Sequence, residues 1–415
     1  MSVTAPPPEG PEDAGLDPAP GRGSTVATRL TTHVGVGGVV TPLLTTLLAF
    51  VVGGLVVLVT GHDPLSTYKA IFDGTGLNWL FPWTSGADRD TAAINLQQTL
   101  ILTTPLILVG LAVAYAFRAG LFNIGGQGQY TVGAIIAVWV GSSFAGMPGA
   151  LHIVLAVVLA ALGGAAWAAI AGGLRATTGA NEVITTIMLN YTALWIGVFL
   201  FGLGGPLQSD VQREVPVSND IVQSAHLPVF WGDPELQGLH IGIFVALAAA
   251  VVFSVVLNRS TKGYEARAVG FNPDAARYGG ISVGWTYVLV MGACGLFAGL
   301  AGAMDVLGWQ FRVATNDVQV SQIGFLGIAV ALLGRNTAIG TCLAALLFGA
   351  LLQGTSVRNL DPSVFPPELA GNLTTIIQGL VVLIVSADVL VAWLVRVRLR
   401  RRADPDPPAT SVAAT

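Results

Sequence analysis

Ten mostly apolar, nearly uncharged stretches recur along the chain, at residues 34–60, 94–117, 121–140, 150–174, 182–201, 239–257, 285–305, 322–333, 338–354 and 372–395. Several approach the roughly 20 residues that a helix needs to cross a bilayer core. Only 10% of the residues are charged and mean hydropathy is +0.71, where a soluble domain would be near a quarter charged. The expected class is therefore all-α: a polytopic membrane protein of about ten transmembrane helices, some broken or short. The stretch at 322–333 is short, and glycines interrupt the region 119–128. Such breaks belong inside a bundle, where protein or water satisfies the freed backbone groups. The 52 glycines suit helices whose backbones approach closely.

The charges between these stretches set an orientation. A cytoplasmic N-terminus puts Arg22, Arg29, Arg118, Arg175, Arg259, Lys262, Arg267, Arg277, Arg335, Arg396, Arg398, Arg400, Arg401 and Arg402 inside. Only Lys69, Arg89, Arg213, Arg312 and Arg358 fall outside, in line with the positive-inside rule. Both termini are expected in the cytoplasm. Residues 1–33 form a Pro-, Gly- and acid-rich tail with little to bury. With no basic n-region beside it, the first stretch reads as an uncleaved span, not a signal peptide. Residues 396–415 carry the basic run RVRLRRR, which abuts an apolar helix and so reads as an anchor at lipid headgroups, not a nucleic-acid binder. The external segments, 62–91 and 204–238, hold the interfacial anchors Trp79, Trp83 and Trp231. Residues 65–72 suit a short amphipathic helix. Neither segment is large enough for a ligand-binding domain, so capture of solute falls to another chain.

One polar segment stands apart. Residues 258–283, NRSTKGYEARAVGFNPDAARYGGISV, carry Arg259, Lys262, Arg267 and Arg277 between two apolar stretches. A short helix is expected over PDAAR, capped by Asn272 with Pro273 in its first turn. The default reading is a surface loop along the membrane.

Catalytic signatures are missing. GGQGQ at Gly125 to Gln129 lacks the lysine and preceding soluble strand of a phosphate loop, so this chain alone cannot hydrolyse ATP. No H-E-x-x-H or G-x-S-x-G occurs, and the five histidines are scattered. Cys294 and Cys342 lie in apolar runs and support neither a disulfide framework nor a metal site.

Four motifs, in order, carry a family resemblance. AYAFRAGLFNIGGQGQYTVGA from Ala114, GANEVITTIMLNYTA from Gly179 and GFLGIAVALLGRNTAIG from Gly324 resemble the membrane permeases of bacterial ABC importers of the nucleoside, ribose and branched-chain amino acid group. TKGYEARAVGFNPDAARYGGI from Thr261 is similar to that family's coupling segment, G-x-x-x-x-A-x-G-x-N-x-x-A-A-x-x-x-G-I. The nucleoside permeases of guanosine or uridine type are the nearest in pattern, with a simple sugar as alternative solute. The resemblance implies a permease subunit in the bacterial plasma membrane. Its implied partners are an ABC ATPase that binds ATP-Mg, a second related permease as heterodimer or homodimer, a solute-binding lipoprotein and membrane lipid. No cofactor is implied in this chain. Glu265, Arg267, Gly270, Asn272, Asp274, Ala275, Ala276, Arg277 and Gly280 are then expected to serve ATPase coupling, with Ala275 and Ala276 leaving room for close docking.

The expected solute path uses intramembrane polar groups, which tend to face a bundle interior. Glu182, Thr186 and Asn190 recur at i, i+4 and i+8 on one helical face. Glu182 is equally suited to complement the helix dipole at a helix start. Asn123, Gln127 and Gln129 surround the glycine break, with Asn95 and Gln98 on the preceding helix. Close members of the family commonly have Glu at the position of Gln127, which puts a charged role there in doubt. Gly295, Gly299 and Gly302 make a packing face for a neighbouring helix, and Asp305 is expected to cap the outer end of its helix in water. An ion-coupled secondary transporter would also have broken helices but would need coupling carboxylates, of which Glu182 is the main candidate. An intramembrane enzyme lacks a nucleophile or metal constellation.

Overall fold

The computed structural model describes residues 40–59, 61–234 and 238–356, with positions 372, 375, 376, 379 and 380. The N-terminal tail, most of the last apolar stretch with its Asp388, and the terminal basic run lie outside the described residues. What is described is a helical bundle. In chain order it comprises α1 (Val40–Val59), α2 (Pro64–Thr75), α3 (Ala87–Arg118), α4 (Gly126–Ser143), α5 (Gly149–Thr178) and α6 (Glu182–Phe201). A small antiparallel pair, β1 (Val229–Trp231) and β2 (Leu239–His240), precedes α7 (Gly242–Arg259). Then come α8 (Thr261–Phe271), α9 (Pro273–Tyr278), α10 (Val283–Asp305), α11 (Thr315–Val320), α12 (Ile323–Leu333) and α13 (Ala338–Gly354). Six segments are long and apolar enough to cross a membrane: α3, α5, α6, α7, α10 with its extension to Gln310, and α11–α12 taken together. Shorter apolar helices lie at Thr46–Val59 and Ala338–Gly354.

Local chemistry explains the helix ends. Asn181 accepts the Val183 and Ile184 N–H groups, so α6 starts where the sequence places it. Asp63 caps α2 through the N–H groups of Leu65 and Ser66, with Pro64 at the first position. The Ser66 N–H above all holds the Asp63 carboxyl below its ordinary value. Three starts differ from expectation, the first being α3, which begins at Ala87 and not near Ile94. Leu239 and His240 pair with β1, so α7 begins at Gly242. The backbone from Leu121 to Gly125 is not helical, so α4 begins at Gly126.

Helix α3 is the hub. In its most apolar window 83% of the residues are buried, against 22% in α5 and in α6, because α10, α12, α13 and α7 surround it. Lipid tails are as apolar as leucine, so close approach and not hydrophobicity drives such packing. The expected glycine face of α10 turns to helices of this same chain, not to a partner. A side-chain carbon on Gly164 of α5 would lie 2.4 Å from the Gly295 carbonyl oxygen, and one on Gly299 would lie 2.4 Å from that of Ala160. Gly302 packs on α4 at Tyr130 and Ala134.

The connections sort to two ends. At one end the Leu227 and Val222 N–H groups donate to Leu307 and Gly141, and Trp79 meets Trp231 with ring centroids 5.1 Å apart. At the other, the Arg118 Nε donates to the Asn336 carbonyl at 3.0 Å, and Arg175 lies over the Tyr287 ring. The second end also carries α8 and α9, so residues 258–283 are two short helices, not an irregular loop.

Candidate functional site

The glycine break becomes a buried polar centre inside the bundle. Gly126 abuts Val109 of α3, nine residues before Arg118, so α4 begins about 13 Å in from that end of α3. Leu121 to Gly125 climbs this depth without helical bonds, and side chains compensate. Asn123 and Gln129 exchange a reciprocal amide pair at 2.9 and 3.0 Å, and the Asn123 oxygen also accepts the Gly125 N–H. Asn190 donates to the Ile124 carbonyl at 2.9 Å and accepts the Gly128 N–H at 2.8 Å. Thr186, also buried, gives its hydroxyl to the Glu182 carbonyl and sits against Gly125. The Gln127 oxygen accepts the Gly324 N–H at 2.8 Å, joining the start of α4 to the start of α12. Its Nε2 is buried without a partner among the described residues. Two broken helices thus meet at one amide, and one donor there is uncommitted.

The structure brings Asn123, Gln127, Gln129, Thr186 and Asn190 together and leaves three expected path residues out. Asn95 and Gln98 lie in the N-terminal part of α3, where Asn95 adjoins Gly76. Glu182 stays in the first turn of α6, 3.5 Å from Arg175. That geometry serves the helix start and its ion pair. Buried Gln97 was missed by sequence reasoning; it lies against Gly232 of the hairpin region.

Asp305 corrects an expectation. It is 1% exposed and accepts from the Tyr130 hydroxyl at 2.5 Å and the Trp309 Nε1 at 2.9 Å. This end of α10, expected to be the outer one, does not stop in water at Asp305; it continues as a π-turn, Val306–Gln310, under residues of the segment 204–238. A lone carboxylate followed by Trp at i+4 was the available signal. Next to this cluster a cavity of about 30 Å³ is lined by Tyr130, Thr131, Gln310, Asp317 and Ser321 among others. That is room for about two waters and for no larger solute.

On the other side, α9 is capped as expected, with the Asn272 oxygen accepting the Asp274 and Ala275 N–H groups at 3.0 Å. Asp274, Ala275 and Arg277 are exposed, and Arg277 lies 3.8 Å from Asp274. Ala276 faces inward, 5% exposed, in a small cluster with Val269 and Val283, so it leaves no room for a docking partner. Gly270 also faces the chain itself, against Ala119 and Gly120. Glu265 pairs with Lys262 at 2.9 Å. The Arg267 Nη1 is buried without an acceptor among the described residues. Gly280 is left-handed at φ 82 with open space around it. Phe271 and Tyr278, 91% and 96% exposed, flank α9 with bare aromatic rings. The polar character of the segment masked these two. Among the described residues no group of three or more His, Cys, Asp or Glu is placed to hold a metal.

The family model described as branched-chain amino acid transport system / permease component matches residues 95–386. The chain is similar to the guanosine ABC transporter permease protein NupP of Bacillus subtilis, at 39% identity over 85% of this chain and 94% of that protein. It is also similar to the nucleoside ABC transporter permease protein NupB of Lactococcus lactis, at 35% identity over 82% of this chain and 89% of the relative. The glucose ABC transporter permease protein TsgB13 of Haloferax volcanii is 33% identical over 88% of this chain and 92% of its own length. No solved structure matches the chain.

Proposed function

Since the chain belongs to the branched-chain amino acid transport system / permease component family, we propose that it is the permease through which an ATP-driven importer moves nucleosides across the plasma membrane. As a permease subunit it is an integral membrane component and a transport subunit, not an enzyme. The observation that carries the solute assignment is the likeness to two nucleoside permeases, each over more than four-fifths of this chain. A simple sugar is the second reading, favoured by the comparable extent of the likeness to the glucose permease.

In this reading the chain crosses the membrane ten times with both termini in the cytoplasm. The end bearing α8 and α9 faces a separate ATPase, which binds ATP-Mg. A second permease, either a related chain or another copy, completes the membrane unit, and a lipoprotein delivers solute to the opposite end. The coupling surface is the exposed part of α8–α9: Asp274, Ala275, Arg277, Phe271 and Tyr278. The path runs past Asn123, Gln127, Gln129, Thr186 and Asn190, where the buried Gln127 Nε2 is available to a solute oxygen or ring nitrogen. The chain's packing supports this, because discontinuous helices that meet near mid-bundle are where transporters place solute. Closure of the ATPase shifts the inward and outward states only by its differential contacts with them.

Uptake of labelled guanosine, uridine and glucose by a deletion strain, with and without the restored chain, tests the assignment. Restored nucleoside uptake with no change in glucose supports it; the reverse pattern establishes the sugar reading. Transport by purified chain in vesicles on an ion gradient alone, with no ATPase present, overturns both.

A further inference from the structure

At the joint between α8 and the turn after α3, backbone lies directly on backbone. A side-chain carbon on Gly270 would stand 2.7 Å from the Ala119 carbonyl carbon, 2.8 Å from the Gly120 nitrogen and 2.9 Å from the Arg118 oxygen. One on Gly120 would stand 2.8 Å from the Gly270 Cα and 2.9 Å from its oxygen. Gly120 is left-handed, at φ +69, and its N–H closes the end of α3 on the Phe117 carbonyl, the usual glycine stop of a helix. Neither peptide has a side chain between it and the other.

The contact matters because of its place in the chain. Four residues separate Gly120 from Gly125 and the polar centre, whose backbone is held to α6 by Asn190 and to α12 by Gln127. The same turn reaches a third element: the Arg118 Nε donates to Asn336 between α12 and α13, where Arg335 and Asn336 are both left-handed, at φ 52 and 53. Residues with a side chain rarely adopt that conformation. The turn is thus bonded to the α12–α13 connection, touches α8, and leads within a few residues to backbone tied to α6 and α12.

We propose that the Gly120–Gly270 contact is the joint that passes a displacement of α8–α9 to the polar break, with Gly120 and Gly270 as positioning residues for coupling. The proposal rests on the reading that an ATPase docks on α8–α9, and goes beyond it by naming the point of transfer. Side chains at a packed contact can change rotamer and absorb a small shift. Two peptides in contact have no such slack, so a movement at α9 must appear at Leu121 to Gly128 or break the contact. A methyl group at either glycine wedges the joint open without touching the exposed face of α9.

The test uses the whole complex, purified from its native membranes through a tag on this chain and reconstituted in vesicles. Solute imported per ATP hydrolysed is compared for wild type, Gly270→Ala, Gly120→Ala and Gly173→Ala, whose added carbon meets nothing within 4 Å. Gly270→Ala and Gly120→Ala should keep the ATPase bound and hydrolysing while the import ratio falls by about fivefold or more; Gly173→Ala should match wild type. An unchanged ratio in Gly270→Ala overturns the joint. Hydrogen exchange on the wild-type complex, with and without ATP, gives an answer that does not depend on a variant folding. ATP should alter exchange both in α8–α9 and at residues 121–128. A response in α8–α9 with none at 121–128 refutes the joint alone; absence of an ATPase from the complex, or of any response in α8–α9, refutes the docking reading beneath it.

Discussion

Asn190 has both ends of its amide engaged, one on the Ile124 carbonyl and one on the Gly128 N–H. Replacing it by Leu leaves two buried or part-buried backbone groups without that partner, at about 1–3 kcal/mol for each. Asn190→Leu should therefore melt earlier in detergent and lose uptake together with stability, as thermal unfolding and transport assays on one preparation will show. Asp305→Ala should behave similarly, because it removes the buried carboxylate that accepts from the Tyr130 hydroxyl and the Trp309 N–H. Adding Tyr130→Phe removes the hydroxyl that has lost this acceptor and should recover about 1–3 kcal/mol; a double variant no more stable than Asp305→Ala would refute that account. Spacing alone revealed that Thr186 and Asn190 share a buried face. It did not reveal that the partner of Asn190 is main chain 66 residues away, since no local rule pairs an amide with a distant break in a helix. Asp305 was misplaced for the same reason: a carboxylate at the end of an apolar run looks solvated until the external segment is seen to fold over it.

Short helix α9 was legible because its signal is local: Asn272 and Pro273 fix its start by their own bonding and ring geometry. Which of its alanines faces outward was not legible, because burial depends on Val283 at the start of α10. The difference is testable. Ala275→Trp should fold normally and block ATPase association, measured as co-purification with this chain. Ala276→Trp should instead disrupt the small cluster with Val269 and Val283, at about 1–3 kcal/mol of overpacking, and expose the segment to limited proteolysis. Equal behaviour of the two variants would remove the distinction drawn between the faces of α9.

Across the described residues, the apolar stretches that announced a membrane bundle also located its apolar helices, since each is set by its own composition; α8 and α11, which lie outside those stretches, were not legible in this way. Helix order around α3 was not accessible in this way, because close approach through Gly164 and Gly299 depends on which helices become neighbours. The bundle nevertheless divides its connections as the charge count does: the segments with Arg118, Arg175, Lys262 and Arg335 gather at one end, and those with Arg89 and Arg213 at the other. Orientation can be read with cysteine labels, given that Cys294 is buried and Cys342 is only partly exposed. Tyr278→Cys, at 96% exposure beside α9, and Val211→Cys, at 88% in the external segment, present reactive thiols at opposite ends of the bundle. In intact cells a membrane-impermeant maleimide should label Val211→Cys and spare Tyr278→Cys; permeabilisation should make both react. Labelling of Tyr278→Cys in intact cells would reverse the orientation that the positive-inside rule assigns and put α9 beyond the reach of any cytoplasmic ATPase.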